Sequence, residues 1–215
     1  MQIMIDGHTV DDIKEDCKTL GELLNLIKAA LKGSGKMIIA IKCNEQVVKP
    51  EEVESALGKS LDEYEKIEFQ TAWPAELARD ALITSKELLK RTEQQINQLV
   101  ENLQQSKIPQ AMEQMGETFQ QLNSAYQGID GCLRLLNIDP ESIELSTINA
   151  DRLFKKVTGN LQEIKEALAN RDYVQLADLL SYELIPTMAT FDELIDILLT
   201  SIESDSKNDE NNKEQ

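Results

Sequence analysis

Apolar and polar residues follow two different periods along this chain, and the change between them falls near residue 73. Before it, short runs of β-branched and other apolar residues surround a single helical stretch, which is typical of a small mixed domain. After it, apolar residues recur at steps of three and four, the spacing of helices that pack along one face. The pattern predicts an α+β fold made of two differently built halves.

Turn and capping residues define the elements of the first half. Asp6-Gly7 suits a tight hairpin, because both residues tolerate the positive φ that such a turn requires. Thr19 and Glu22 have the spacing of a capping box, which predicts that a helix begins at Leu20. The predicted elements are strands at Gln2–Ile5, His8–Val10, Met37–Ile41, Val47–Val48 and Ile67–Phe69, and a helix at Leu20–Leu31.

This order of strands and helix, opening on Met1-Gln2-Ile3, resembles the ubiquitin-like β-grasp fold over residues 1–72. Ubiquitin-like modifiers and sulfur carriers end this domain in a free Gly-Gly tail. Here the chain continues through Ala72-Trp73-Pro74, so the resemblance implies the fold and not conjugation or sulfur transfer.

Residues 73–74 are predicted to be the linker, because proline disfavours helix at the residue before it and favours the first turn of a helix after it. We expect Trp73 to fill the domain interface, with contact to a partner as the alternative.

Four helices are predicted after the linker, at about 75–105, 109–137, 147–169 and 172–202. Their seams keep a period near 3.5, which predicts an antiparallel, left-handed four-helix bundle over residues 75–203. A constant shift of 65 positions relates the first two seams to the last two, and either duplication of a helical hairpin or coincidence explains it. Residues 204–215 contain no apolar residue to bury, so a disordered acidic tail is predicted there. The predicted seams include Met112, Met115, Phe119 and Leu122 on the second helix and Phe154, Val157, Leu161, Ile164 and Leu168 on the third.

The fourth predicted helix is more apolar than a bundle requires. More than half of residues 173–202 are apolar, whereas a bundle helix needs only about a third of its circumference to be so. Three explanations are open: the first domain or the 138–146 connection covers the surplus, a second copy of the chain covers it, or a helix of another protein does. The predicted interaction surface is Val174, Leu176, Leu179, Ile185, Met188, Ile195, Leu199 and Ile202.

Proline and glycine interrupt two of the predicted helices. Pro186 removes a backbone hydrogen bond and is expected to kink the fourth helix. Gly128 and Gly131 each cost about 1 kcal/mol relative to alanine. They therefore predict either close contact between helices or a local break near Asp130.

Composition narrows the classes of partner. The 215 residues carry 22 Lys and Arg against 39 Asp and Glu, a net charge of −17, so the surface repels the phosphates of nucleic acids and of anionic membranes. We find no signal peptide and no apolar run long enough to span a bilayer. Cys17, Cys43 and Cys132 contain no C-x-x-C pair and fit a reducing cytoplasm, where we expect the protein to be located.

No catalytic, cofactor-binding or metal-binding residues are predicted. A single histidine, His8, excludes a multi-histidine metal site and has no second histidine or nearby cysteine to support catalysis. Gly33-Ser34-Gly35-Lys36 looks like the end of a phosphate-binding loop. However, it leads from helix to strand, and Met37 stands where Ser or Thr is needed.

The turn Leu168-Ala169-Asn170-Arg171-Asp172-Tyr173 and the following Leu176-Ala177-Asp178-Leu179-Leu180 are similar to the helical bundles of bacterial flagellin export chaperones. The resemblance implies that the bundle binds a helical segment of a partner on its apolar surface. The sequence therefore predicts a non-enzymatic adaptor or chaperone-like protein whose partner is another protein or a second copy of itself. A self-assembling homodimer and an enzyme of unfamiliar type are the alternatives.

Overall fold

The computed structural model describes residues 1–10 and 17–213. The chain divides into two compact units, Met1–Leu77 and Ala78–Gln215. A mixed β-sheet dominates the first unit and helices make up the second, so the predicted α+β class is confirmed.

The first unit is a five-stranded sheet with one long helix. Its elements are β1 (Gln2–Ile5), β2 (His8–Thr9), α1 (Leu20–Leu31), β3 (Met37–Cys43), β4 (Gln46–Val47), α2 (Val53–Leu57) and β5 (Lys66–Ala72). The strands lie in the order β2-β1-β5-β3-β4, with β1 and β5 parallel and the other pairs antiparallel. All the predicted strands and the predicted helix are present, and the short helix α2 is an addition.

The hairpin between β1 and β2 is built as the sequence predicts. Asp6 and Gly7 have φ values of 50° and 80°, the left-handed pair of a two-residue turn. The Asp6 carboxylate accepts hydrogen bonds from the Thr71 backbone N–H at 2.7 Å and from the Thr71 hydroxyl at 2.5 Å, so the turn is joined to β5. These hydrogen bonds hold the pKa of Asp6 below its usual value.

The core of the first unit joins α1 to the central strands. α1 begins with the predicted capping box: Thr19 Oγ1 accepts from the Glu22 N–H at 3.3 Å, and Glu22 Oε2 accepts from the Thr19 N–H at 3.4 Å. Apolar side chains at the helical spacing then meet those of β1 and β5. The fully buried side chains of this core include Ile3, Leu20, Leu23, Ile27, Ile67 and Phe69.

The second unit is an antiparallel four-helix bundle. Its elements are α3 (Pro74–Gln104), α4 (Ile108–Leu135), α5 (Ala150–Ala169), α6 (Tyr173–Asp178) and α7 (Ile185–Lys213), with a π-helical segment, Leu179–Leu184, between α6 and α7. Near its start α3 meets the end of α4, where Cys132 Sγ donates to the Ala78 carbonyl at 3.4 Å. Near its end α3 meets the start of α4, where Asn102 Nδ2 donates to Gln114 Oε1 at 3.2 Å. The two helices therefore run in opposite directions.

The predicted fourth helix is widened just before its proline. The Ile185 N–H donates to the Leu180 carbonyl, five residues back, and Pro186 has no N–H to continue the series. The wider turn gives room to the proline ring, which in an ideal α-helix clashes with the carbonyl four residues before it. A π-helical segment thus stands where the sequence predicts a kink.

The last helix extends further than predicted. α7 continues to Lys213, so the described part of the predicted disordered tail, 204–213, is helical, and residues 214–215 lie outside the described residues. Once a helix is nucleated by packed residues, each further residue adds one backbone hydrogen bond. No proline or glycine follows Pro186 to stop this propagation.

The two glycines of α4 differ in their surroundings. A Cβ at Gly128 would overlap Ser85 Oγ of α3, which confirms the predicted alternative of close helix contact. No atom lies within 4 Å of the place where a Cβ on Gly131 would be. The helix is continuous through both glycines, so the predicted alternative of a break near Asp130 is wrong.

Candidate functional site

The apolar surplus of the last helix is largely covered. Val174 is exposed over 76% of its area, Ile185 and Leu199 are half-buried, and the other five residues of the predicted interaction surface are buried. The buried five are Leu176, Leu179, Met188, Ile195 and Ile202. As a set, these eight side chains do not form the open surface that the sequence predicts, because most of them are part of the bundle core.

Aromatic rings from three helices meet at the centre of this core. Phe191 of α7 is fully buried. Its ring centroid lies 4.5 Å from that of Tyr126 in α4 and 5.1 Å from that of Phe154 in α5. Such tilted and edge-on pairs stabilise a core beyond their buried area. α7 therefore packs on two other helices at once, which explains why so much of its circumference is apolar.

Polar groups fasten the remaining sides of α7. Lys86 of α3 pairs with Asp196 at 2.5 Å and with Asp192 at 3.5 Å, and the hydrogen bond to Asp196 raises the pKa of this lysine. In the connection between α4 and α5, Ser146 donates to Glu193 Oε1 from its backbone N–H at 2.8 Å and from its hydroxyl at 2.6 Å. Of the predicted explanations for the surplus, packing of the 138–146 connection on this helix is thus present in the structure.

A buried asparagine ties α5 to the widened segment. Asn160 Nδ2 donates to Thr187 Oγ1 at 3.0 Å and to the Glu183 carbonyl at 3.2 Å, and Thr187 Oγ1 donates to the same carbonyl at 2.7 Å. Asn160 was not among the residues predicted from the sequence. Its signal is a polar side chain spaced three residues after Val157 and four before Ile164, on a seam of otherwise apolar residues.

On both α4 and α5, small and polar residues are buried, while larger apolar ones are left half-buried. Ala111 and Thr118 of α4 and Asn160 and Ala167 of α5 are buried. The bulkier side chains that the heptad pattern places in the core are only half-buried here. These are Met112 and Phe119 on α4 and Leu161 and Leu168 on α5. The two helices are therefore turned so that large apolar side chains face outward beside each other.

Three of these side chains, those of Phe119, Leu161 and Leu168, line an open groove of about 290 Å³. We call it the α4/α5 groove, and its lining residues are Met115, Gly116, Phe119, Leu161, Ile164, Lys165 and Leu168. Gly116 leaves the space above the helix empty, because no atom lies within 4 Å of the place where its Cβ would be. Lys165 is the one charged residue of the lining, and it forms no ion pair with another described residue.

The first unit has a cavity of its own, of about 520 Å³, whose lining includes the ionisable side chains of Cys43 and Tyr64. Burial raises the pKa of the Cys43 thiol and of the Tyr64 hydroxyl that bonds to it, so both stay protonated at neutral pH. His8 Nδ1 lies 3.0 Å from the Asp6 carbonyl on the exposed hairpin. Cys132, in the second unit, is buried, and burial raises its pKa to about 11.

Trp73 contacts residues of the first unit. A Cβ on Gly35, whose φ is 74°, would lie 3.0 Å from Trp73 Cζ3, and Lys36 Nζ lies 5.9 Å from the centroid of the ring. The role of Trp73 at a domain interface stays a prediction.

Metal sites and membrane-spanning helices are both absent from the described part of the chain. Among residues 1–10 and 17–213, no group of three or more His, Cys, Asp and Glu side chains is placed to hold a metal ion. Within the same ranges, none of the helices is both long and apolar enough to cross a membrane.

Comparison with known proteins places the helical unit in a family. A model described as a domain of unknown function, DUF8042, matches residues 80–203, more than half of the chain. The chain belongs to the DUF8042 family. The match to DUF8042 covers both walls of the α4/α5 groove, and a model described as the TP0873 N-terminal domain matches residues 1–72.

One relative aligns over most of its own length and of this chain. The chain is 24% identical over 190 residues to an uncharacterized protein of Treponema pallidum (strain Nichols), and the alignment covers 87% of this chain and 92% of that protein. The alignment is longer than either family match, and it therefore includes residues of both. No solved structure matches the chain.

Proposed function

We propose that this protein is a non-enzymatic interaction module of the adaptor or chaperone type, which binds an apolar helix of another protein in the α4/α5 groove. The observation that carries the proposal is the burial pattern of the two helices that form the groove, in which polar residues are more buried than some large apolar ones. Phe119 and Leu161 are only half-buried while Thr118 and Asn160 are buried, which sacrifices apolar burial in the isolated bundle. A partner that covers the groove recovers that burial.

The shape and lining of the groove favour a helix as the occupant. The groove runs between two antiparallel helices, and an amphipathic helix lays its apolar face into such a depression. Its volume of about 290 Å³ is at the lower limit of sites for small molecules, which are typically about 300–1,000 Å³. Lys165 is the one ionised group of the lining, so there are few polar groups to orient a small ligand.

The chemistry of the chain supports a binding role over catalysis. The pKa values of Cys43 and Cys132 are raised by burial, and a catalytic thiol requires the opposite shift. The net charge of −17 argues against nucleic acids and anionic membranes as partners. In the described part of the chain the three cysteines form no disulfide, which supports a cytoplasmic location as part of the proposal.

The two resemblances stated above are kept as proposals. The strand order of the first unit, with β1 and β5 parallel at its centre, supports the ubiquitin-like β-grasp fold. The apolar groove on an antiparallel bundle supports the likeness to flagellin export chaperones, although the groove is formed by α4 and α5 and not by the last helix.

A substitution that fills the groove with a side chain of this protein tests the proposal. Gly116→Leu places a side chain in the open space, and Gly131→Leu, on the same helix but outside the groove, is the matched control, since both positions are open around the new Cβ. Circular dichroism must first show that the three proteins have the same fold and that neither variant melts at a lower temperature than the wild type. We expect the wild type and Gly131→Leu to retain a partner from native lysate, and Gly116→Leu to lose it. The same partner is expected to bind the purified wild type one to one. Equal retention by all three proteins would contradict the proposal.

A further inference from the structure

The α4/α5 groove is short along the axis of the bundle. On α4 its lining residues run from Met115 to Phe119, and on α5 they run from Leu161 to Leu168. At about 1.5 Å per residue, these two walls are about 6 Å and about 10.5 Å long. An amphipathic helix presents an apolar side chain about once per turn of about 5.4 Å, so the groove receives side chains from one or two turns of a partner. Docking therefore depends on one or two anchoring side chains and not on a long apolar stripe.

The open position for such an anchor lies over Gly116. No atom of another element lies within 4 Å of the place where its Cβ would be, whereas the other lining residues all carry side chains. Phe119 and Met115 lie on the same face of α4, because residues three and four positions apart are neighbours on a helix. Across the groove, Lys165 lines the α5 wall, four residues after Leu161. A side chain that enters over Gly116 is therefore bordered by an aromatic ring, a thioether and an ammonium group.

All three of these groups favour an aromatic ring over an aliphatic side chain of equal size. The ring of Phe119 gains from offset or edge-on contact with a second ring. The sulfur of Met115 makes favourable contacts with ring edges, and the ammonium group of Lys165 is attracted to the face of a ring. Phe119 is half-buried and makes no ring contact with another aromatic residue of the described chain, so its ring has no such partner within the protein. The other side chains of the lining are aliphatic and contribute through buried area alone.

We propose that the α4/α5 groove recognises its partner helix by one aromatic side chain, which lies over Gly116 in contact with the ring, the sulfur and the ammonium group described above. The inference rests on the proposed function and adds the chemical class of the anchor. Large aromatic side chains in desolvated pockets are also among those that most often dominate the binding energy of protein–protein interfaces. The partner is therefore a helix that carries an aromatic residue at one position of its apolar face.

The shape of the anchor can be separated from its aromatic character. Cyclohexylalanine has nearly the outline of phenylalanine and buries at least as much apolar surface, but it has no π-system. Burial alone therefore favours cyclohexylalanine or leaves the two residues equal. A preference for phenylalanine comes only from contacts that recognise a ring, such as those with Phe119 and Lys165.

The experiment measures binding of three designed helical peptides of about 16 residues to the full chain by fluorescence anisotropy. The peptides share one sequence, with leucines one turn before and after the anchor, and differ only in the anchor itself, which is phenylalanine, cyclohexylalanine or leucine. We expect the phenylalanine peptide to bind about three- to tenfold more tightly than the other two. Gly116→Leu should abolish binding of all three.

Two variants of the lining identify the groups that recognise the ring. In Phe119→Leu and in Lys165→Gln, the advantage of phenylalanine over cyclohexylalanine should shrink, while the affinity for the cyclohexylalanine peptide changes by less than about twofold. Lys155→Gln, on the same helix but outside the lining, is the matched control and should keep the full advantage.

The outcomes separate the inference from the proposed function. Equal binding of the phenylalanine and cyclohexylalanine peptides, or tighter binding of the latter, that Gly116→Leu still abolishes would overturn the aromatic anchor and leave the groove as a docking site. An advantage of phenylalanine that both Phe119→Leu and Lys165→Gln leave intact would also overturn it, because the ring would then be recognised elsewhere. Absence of binding by every peptide, or binding that Gly116→Leu leaves unchanged, would count against the proposed function as well.

Discussion

In the last predicted helix, more than half of residues 173–202 are apolar, and most of those side chains are buried against the rest of the bundle, although Val174, Tyr182 and Ile197 are exposed. Fewer residues of α4 and α5 are apolar, yet Phe119, Leu161 and Leu168 are only half-buried and line an open groove. The more apolar region is therefore the closed one, and the less apolar region is the open one.

The difference shows what apolar content in a helix measures. A helix that packs against several other elements needs apolar residues on several faces. The number of apolar residues in such a helix therefore reflects how many elements of the same chain cover it. A docking surface is indicated instead when small or polar residues are buried beside larger apolar ones that are not. Thr118 beside Phe119 and Asn160 beside Leu161 are such pairs.

The sharpest test compares two phenylalanines. Phe191→Ala removes a fully buried ring at the centre of the closed region, and we expect a loss of about 3–5 kcal/mol in the free energy of unfolding. Phe119→Ala, on the wall of the groove, should cost about 1 kcal/mol, because its ring is only half-buried. Urea unfolding followed by circular dichroism measures both. Similar losses would show that the groove is as closed as the core.

Removal of the buried asparagine should also distinguish the two regions. Asn160→Ala breaks the link to Thr187 and the Glu183 carbonyl, and we expect a cost of about 1–3 kcal/mol. Lys165→Ala, on the open side of the same helix, should leave stability within about 0.5 kcal/mol. The same urea unfolding measures both, and a large effect of Lys165→Ala would show that its side chain has a structural role.

Two glycines of α4 should respond with opposite signs. Gly128→Ala places a methyl group against Ser85, so we expect destabilisation by about 1 kcal/mol or more. Gly116→Ala meets no atom, so it should gain about 0.5–1 kcal/mol from helix propensity. Thermal melting of the two variants gives the signs. Stabilisation by Gly128→Ala would contradict the close approach of α3 and α4.

The last test concerns alkaline pH. Burial raises the pKa of Cys132 from 9.0 to about 11, so the unfolded chain loses this proton before the folded one does. Its contribution to stability is complete below pH 9 and is lost as the pH rises towards 11. Melting temperatures of the wild type and Cys132→Ala between pH 8 and 11 measure the difference. The wild type should lose more stability over this range, and parallel curves would contradict the shift.

Local signals made the elements of the fold predictable. Asp6-Gly7 and the Thr19 capping box set the start of β2 and of α1, and both are found as expected. The helices of the bundle follow from their apolar period in the same way. The wide turn before Pro186 could not be predicted, because a proline in a helix is compatible with either a kink or an added residue in the turn.

The candidate site was less predictable than the fold. The heptad pattern assigns Phe119, Leu161 and Leu168 to the core, because a core seam and a docking groove are both made of large apolar residues. The choice between neighbouring faces of α4 and α5 depends on how the rings around Phe191 fill the centre, and this is a property of the assembled bundle. The surface predicted on the last helix is covered for the same reason.

The position of Phe191 also affects the order in which the molecule is built during translation. The ring that joins α4 to α5 belongs to the last of the bundle helices to be synthesised, so α3, α4 and α5 emerge without the side chain that fills their centre. By contrast, the buried residues of the first unit are all present once β5 has emerged. Until α7 has been synthesised, the nascent chain therefore consists of a folded sheet unit and three helices whose apolar faces are not yet covered. During that interval it is most exposed to misassembly.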